Sequence, residues 1–292
     1  MELNLSLLVL FAAFLHACWN ALVKSGEDPL LTVATVSAVA SFLSALLTLF
    51  FPAPPLAAWP WLAAGIVAHN GFKIFLVLAY RTGDLSRVYP LARGSAPLVV
   101  AAFAGLVAGE RLSLSSLGGV ALVSGGLVSL AFERTPAATP PSGEVPLHEG
   151  HPFRPLMFAL LTGIFIGAYT LIDGMGVRLS ESALGYSAWL FMFDGVPMVT
   201  LALLLRRGAW VRFLRRGVLP SIGAGVLSLF AYYAVLWALS RGAMAPIAAL
   251  RETGVLFAVL IGWLVLREPL GIRRLGAALL VSAGVALLHV GG

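Results

Sequence analysis

Apolar residues run along this chain in long continuous blocks separated by short polar turns, with no alternation of polar and apolar positions inside a block. Ten blocks stand out, at 4–24, 30–51, 59–80, 86–109, 113–132, 154–176, 183–205, 217–239, 244–266 and 270–290. About 20 apolar residues suffice for a helix to cross a ~30 Å hydrocarbon core. Barrel strands alternate and are about half as long. The pattern therefore predicts an all-α polytopic membrane protein with ten transmembrane helices. Most connections are tight, as at Ser25-Gly26-Glu27-Asp28-Pro29, Thr82-Gly83-Asp84 and Arg267-Glu268-Pro269. Residues 134–153 differ: Pro136, Pro140, Pro141, Pro146 and Pro152 among small and polar residues make a flexible linker.

The blocks repeat. A shift of 158 positions lays Arg93 on Arg251, Leu106-Val107 on Leu264-Val265 and Glu110 on Glu268. The same shift lays Leu117-Gly118 on Leu275-Gly276, Leu122-Val123-Ser124 on Leu280-Val281-Ser282 and Gly126 on Gly284. The chain thus divides into two repeats, 1–133 with spans 1–5 and 154–292 with spans 6–10, joined by the linker 134–153. Five spans is an odd number, so the second repeat is expected to cross the membrane inverted, with a substrate site between the halves near the midplane.

Composition agrees: 60% of residues are hydrophobic, only 11% are charged, and the mean hydropathy is +0.95. The net charge of +6 resides in loops, where it meets anionic lipid, so no nucleic-acid partner is expected. Thirteen Lys and Arg fall on loops 1–2, 3–4, 5–6, 7–8 and 9–10, five of them between Arg206 and Arg216. Three fall on the other side: Arg111, Arg178 and Arg241. That asymmetry predicts both termini outside, in what is expected to be a bacterial inner membrane. The single cysteine, Cys18, excludes an intrachain disulfide and a cysteine metal site. Met1-Glu2-Leu3-Asn4 lacks a basic n-region, so the first block reads as a retained helix. No metal-ligand spacing, nucleophile motif or phosphate loop occurs, so neither cofactor nor catalysis is expected.

Polar groups nevertheless sit at membrane depth. Span 1 carries His16, Trp19 and Asn20 on one helix face; span 3 carries His69, Asn70 and Lys73; span 4 carries Tyr89 and Arg93, four apart, and is interrupted by Pro90 and Pro97. Span 6 carries Tyr169 and, toward its end, Asp173; span 7 carries Trp189 and Asp194; span 8 carries Tyr232, Tyr233 and Trp237; span 9 carries Arg251, Glu252 and Thr253. A charge at the bilayer centre costs about 2.5–3.5 kcal/mol on insertion scales, so these groups face one another or a cavity. Ion pairs that merely fix helix registration would meet that requirement. Arg93 and Arg251, however, approach a shared pseudo-axis from both sides, and two converging cations need an anion between them. Glu252, Asp194 or a substrate carboxylate or phosphonate could be that group. Pro90, Pro97 and Pro246 are expected to kink the same helices. Glu110 and Glu268 read as helix-starting acids for the spans after them. The Gly118/Gly126 and Gly276/Gly284 ridges are expected to pack peripherally or against a second protomer, a possible homodimer.

Tyr89-Pro90-Leu91-Ala92-Arg93 with Ala96-Pro97, Gly109-Glu110-Arg111-Leu112, and the Gly-rich helices 118–126 and 276–284 resemble the EamA-type branch of the drug/metabolite transporter superfamily over essentially the whole chain. The segment His16-Ala17-Cys18-Trp19-Asn20-Ala21-Leu22-Val23-Lys24 is similar to a branch associated with phosphonate utilisation. The resemblance implies a central cavity alternating between the two faces. Carried over by position, that cavity is lined by His16, Trp19, Asn20, His69, Lys73, Tyr89, Arg93, Tyr169, Tyr232, Arg251 and Glu252, with Asp194 outside the set as a gate or pairing residue. It also implies termini inside, opposite to the Arg count. The expected function is alternating-access transport of a small anionic or zwitterionic metabolite, an amino acid or organic acid, with Glu252 or Asp194 available for proton coupling. Efflux of aromatic or cationic drug-like compounds is the alternative.

Overall fold

A computed structural model of the chain describes residues 2–23, 28–83, 85–132, 153–217, 219–264 and 271–290. Lys24, Arg134, the linker as far as residue 152, and Arg267-Glu268-Pro269 lie outside the described residues. Among those described, the chain forms α1 (Leu3–Val23), α2 (Pro29–Leu47), α3 (Trp59–Thr82), α4 (Leu85–Ala108), α5 (Leu114–Leu130), α6 (Arg154–Arg178), α7 (Ala183–Gly217), α8 (Leu219–Leu239), α9 (Met244–Arg251), α10 (Gly254–Leu264) and α11 (Ile272–Val290). Eight of these helical stretches are long and apolar enough to cross a membrane. Leu3, Phe11, Phe42, Leu106, Leu204, Phe230 and Leu279 stay exposed, an apolar exterior suited to lipid tails. The chain is an integral multi-pass membrane protein.

Helix starts obey local chemistry. Asp28 Oδ1 accepts from Leu30 N at 3.0 Å and Leu31 N at 3.3 Å, with Pro29 at the first position of α2. Ser113 Oγ accepts from Ser116 N at 3.1 Å to start α5. The acid expected to start that helix, Glu110, does something else. Gly109 takes a left-handed φ of 66° at the end of α4, and Glu110 reaches across the bundle to accept from Met244 N at 2.9 Å. It caps α9, whose open N-terminus attracts a carboxylate.

Two predicted spans are built differently. The apolar pattern predicts a helix end at 205; the backbone does leave the helical region at Arg206 (φ −143°, ψ 26°), but a second helical stretch follows directly and carries α7 on to Gly217. The cationic stretch is not a loop because its apolar positions find partners. Trp210 packs with Leu31, Ala34 and Ala202, and its Nε1 donates to Thr35 Oγ1 at 2.9 Å. The ninth span is two helices, α9 and α10, parted at Glu252-Thr253. Pro246 does not cause this. It lies in the first turn of α9, where its missing N–H has no partner to lose. Helix α4, by contrast, runs through Pro90 and Pro97.

The tightest packings join α3 to α6, α4 to α6, α2 to α7, α1 to α8, and α5 to α11. Of the glycine ridges, Gly118, Gly126 and Gly284 face the opposite helix of the α5–α11 pair, whereas Gly276 faces open space. A Cβ on Gly126 would lie 3.0 Å from Ala277 O, and one on Gly284 would lie 2.8 Å from Gly119 O. On α6, a Cβ on Gly163 would lie 2.6 Å from Ala92 O, and one on Gly167 would lie 2.6 Å from Val99 Cβ. These seams admit no side chain, which is how helices approach closely without a hydrophobic driving force in lipid.

Candidate functional site

The break between α9 and α10 places Arg251 and Glu252 in the bundle interior. Arg251 is 4% exposed and Glu252 1%. Glu252 Oε1 accepts from Arg251 Nη2 at 3.0 Å and Nε at 3.2 Å. Its carboxylate also faces Arg93 of α4, which donates from Nη1 to Oε2 at 3.3 Å. Both guanidiniums therefore share one carboxylate. Arg93 also meets His16 Nε2 on α1. Trp19 Nε1 donates to His16 Nδ1 at 2.9 Å, and Asn20 Nδ2 donates to Tyr89 OH at 3.4 Å. Two rings complete the centre: Tyr89 lies 5.3 Å from the Arg93 guanidinium carbon and Tyr169 lies 5.7 Å from that of Arg251.

A second group adjoins it through Tyr169. The Tyr169 ring stacks on His69 at 4.1 Å and 12°. His69 Nε2 lies 2.7 Å from Asp173 Oδ2, and Tyr232 OH donates to the same oxygen at 2.7 Å. Asp173 is fully buried.

The third group is separate. Lys73 Nζ lies 2.5 Å from Asp194 Oδ2, and Asn70 Nδ2 donates to Asp194 O at 3.0 Å and Oδ1 at 3.3 Å. The pair ties α3 to α7. Asp194 thus has its own cation and stands apart from the arginines.

The sequence-named residues divide accordingly. His16, Trp19, Asn20, Tyr89, Arg93, Tyr169, Arg251 and Glu252 come together; His69 and Tyr232 join them through Asp173 and Tyr169; Lys73 and Asp194 pair by themselves. Asp173 is visible in the sequence but falls outside the expected site, because it lies near the end of its span. The available signal is its spacing four residues after Tyr169, on the same helix face. Tyr233 and Trp237 are elsewhere, Tyr233 on Ser44 at 3.0 Å and Trp237 under Arg241 at 3.8 Å.

A cavity of about 490 Å³ opens at one end of the bundle, lined by residues including Val177, Arg178, Glu181, Ser182, Ala183 and Trp237. Beside it Arg178 Nη2 donates to Glu110 Oε1 at 2.7 Å and to Gly242 O at 2.6 Å. One carboxylate therefore holds both the start of α9 and the end of α6.

A family model described as the EamA-like transporter family matches residues 153–290. An uncharacterized protein of Pseudomonas aeruginosa is 32% identical over 187 residues, 63% of this chain and 58% of that protein. The chain thus spans under two thirds of that relative's length. A solved crystal structure superposes with a TM-score of 0.78 over 99% of this chain and 98% of its own, at 17% identity, which shows a common fold.

Proposed function

We propose, from the premise that the chain is an EamA-type member of the drug/metabolite transporter superfamily, that it moves a small anionic or zwitterionic metabolite by alternating access. In this reading it crosses the membrane ten times, α9 and α10 together making one crossing, as two inverted repeats, 1–133 and 154–292. The packing supports this. Exchanging the repeats turns the α3–α6 pair into the α8–α1 pair and maps α2–α7 and α5–α11 onto themselves, and all four pairs are close.

The observation that carries the substrate class is the shared carboxylate. Two buried guanidiniums share one Glu252, a local charge of +1 at that carboxylate that favours a further anion beside them. A substrate carboxylate supplies the missing anion, bound through the fork geometry of arginine. Tyr89, Trp19 and Tyr169 then shape the space around its remainder.

A thermal-shift screen of the purified protein against amino acids, organic acids and phosphonates tests this, since a ligand that binds only the folded state raises the unfolding temperature. The expected ligand is a carboxylate whose stabilisation disappears in both Arg93→Ala and Arg251→Ala. Undiminished stabilisation in both variants overturns the site. Efflux of aromatic or cationic drugs is the second reading, supported by the ring cluster of His69, Tyr169, Phe191 and Tyr232. A drug-susceptibility panel on cells lacking the protein separates the two.

A further inference from the structure

Asp173 is unlike the other buried carboxylates. Glu252 is held by two guanidiniums and Asp194 by an ammonium. Asp173, equally inaccessible, contacts only an imidazole and a phenol through Oδ2. Its Oδ1 has no hydrogen-bond partner among the described residues. The space beside that oxygen is kept by Gly65, where a Cβ would lie 2.5 Å from it. The Tyr186 hydroxyl of α7 is also fully buried and also unpartnered among the described residues. It occupies the room left by Gly176, where a Cβ would lie 2.3 Å away. A buried carboxyl oxygen and a buried hydroxyl without partners each cost free energy, and each fills the room left by a glycine, Gly176 lying within one helical turn of Asp173.

We propose that Asp173 and His69 form the proton-carrying site of this transporter, loaded from the cavity at the α6–α7 end through Tyr186. The route is short. Val177 and Ala183 line that cavity. Gly176 and Asp173 lie within about one helical turn of the first, and Tyr186 lies within one turn of the second. One proton is taken up from the cavity and held on the Asp173–His69 pair. It leaves the same pair when the opposite face opens.

The charged and titratable groups around the pair are few. His69 comes from α3, Tyr232 from α8 and Tyr186 from α7, with Tyr169 on α6 itself. Arg251 from α9 lies 5.7 Å from the Tyr169 ring, with Glu252 hydrogen-bonded to Arg251 and to Arg93 of α4. Among the described residues, buried Lys73, Arg93 and Arg251 oppose buried Asp194, Glu252 and Asp173, a balance of three against three when His16 and His69 are neutral. Adding one proton leaves a net +1, which one incoming carboxylate cancels. This rests on the anion-binding reading above and deepens it. The interior is neutral both empty and with proton plus anion loaded, so the two are expected to bind together, each favouring the other by linkage.

The test needs no substrate. Infrared difference spectra of the purified protein in lipid, recorded against pH with no carboxylate ligand present, should show a protonated-carboxyl band appearing on acidification. The band is expected to vanish in Asp173→Asn and to persist in Asp194→Asn. In His69→Gln, which keeps the carboxyl, it should shift its midpoint. In Tyr186→Phe it should appear more slowly after a pH jump. A band unchanged in Asp173→Asn, or lost in Asp194→Asn instead, overturns the proposal. So does a midpoint moved by sodium at constant ionic strength in the wild type, which would mark a metal-cation site. Should Asp173→Asn fail to fold, the His69→Gln midpoint alone decides. Failure of the arginine variants to affect ligand stabilisation would sink the anion site and leave these spectra untouched.

Discussion

Arg93 and Arg251 coincide when the sequence is shifted by 158 positions, yet the helices that carry them are built in opposite ways. Helix α4 contains two prolines and stays continuous, whereas the ninth span has its proline harmlessly in the first turn of α9 and breaks at Glu252-Thr253 without one. The difference lies in the residue next to each arginine. After Arg93 comes Gly94, pressed against α5, where a Cβ would lie 3.0 Å from Ser124 O. After Arg251 comes Glu252, which must face inward to meet two guanidiniums. A break in backbone pairing is tolerated at membrane depth where protein groups satisfy the freed atoms, and here the break puts an acid between two bases. The duplicated arginines thus supply the charge, and the part of the repeat that diverged supplies the counter-charge.

That contrast can be broken at Glu252. In Glu252→Ala two guanidiniums converge with no anion, and the loss should be about 3–5 kcal/mol, read as a large fall in unfolding temperature in detergent. Removing either arginine should be milder, because a one-to-one pair remains. Arg93→Ala and Arg251→Ala should each cost about 1–2 kcal/mol while ligand stabilisation is lost. A loss in either variant matching that of Glu252→Ala would show that the arginines are structural. The smallest effect is expected at the far end of the same element. Glu110→Gln weakens the cap of α9 and its tie to Arg178, at about 1 kcal/mol, and should leave α4 unaffected. Hydrogen exchange should show faster opening confined to Met244–Arg251.

Much of this is legible from residues alone. Continuous apolar blocks place the helices, because backbone groups in lipid must be satisfied within the segment. The same cost of burying charge draws attention to Arg93, Arg251 and Glu252. Partner choice is not legible. Nothing local distinguishes Glu110 as the cap of α9 from an acid starting α5, since Ser113 serves α5 equally well and the α9 contact spans 134 positions. Asp194 looks available for proton coupling until the fold sets Lys73 upon it. Asp173 looks peripheral because distance from a span end is a poor measure of depth when a helix runs on to Arg178. The glycine ridges show that something packs closely there, without saying that each ridge would find the other.

The seam between α4 and α6 sets a limit on how this molecule can move. With Gly163 and Gly167 laid directly against Ala92 and Val99, the two helices leave no clearance to slide or roll past each other. They behave as a single plank. One half of that plank carries Arg93 and the other carries Asp173, so the proposed anion contact and the proposed proton contact would travel together. In the proposed cycle, access would then change through elements that meet the plank, among them α9, which packs on both of its helices, and α1, whose His16 meets Arg93. The bound proton and the bound anion would be exposed to the same side of the membrane at every moment of the cycle.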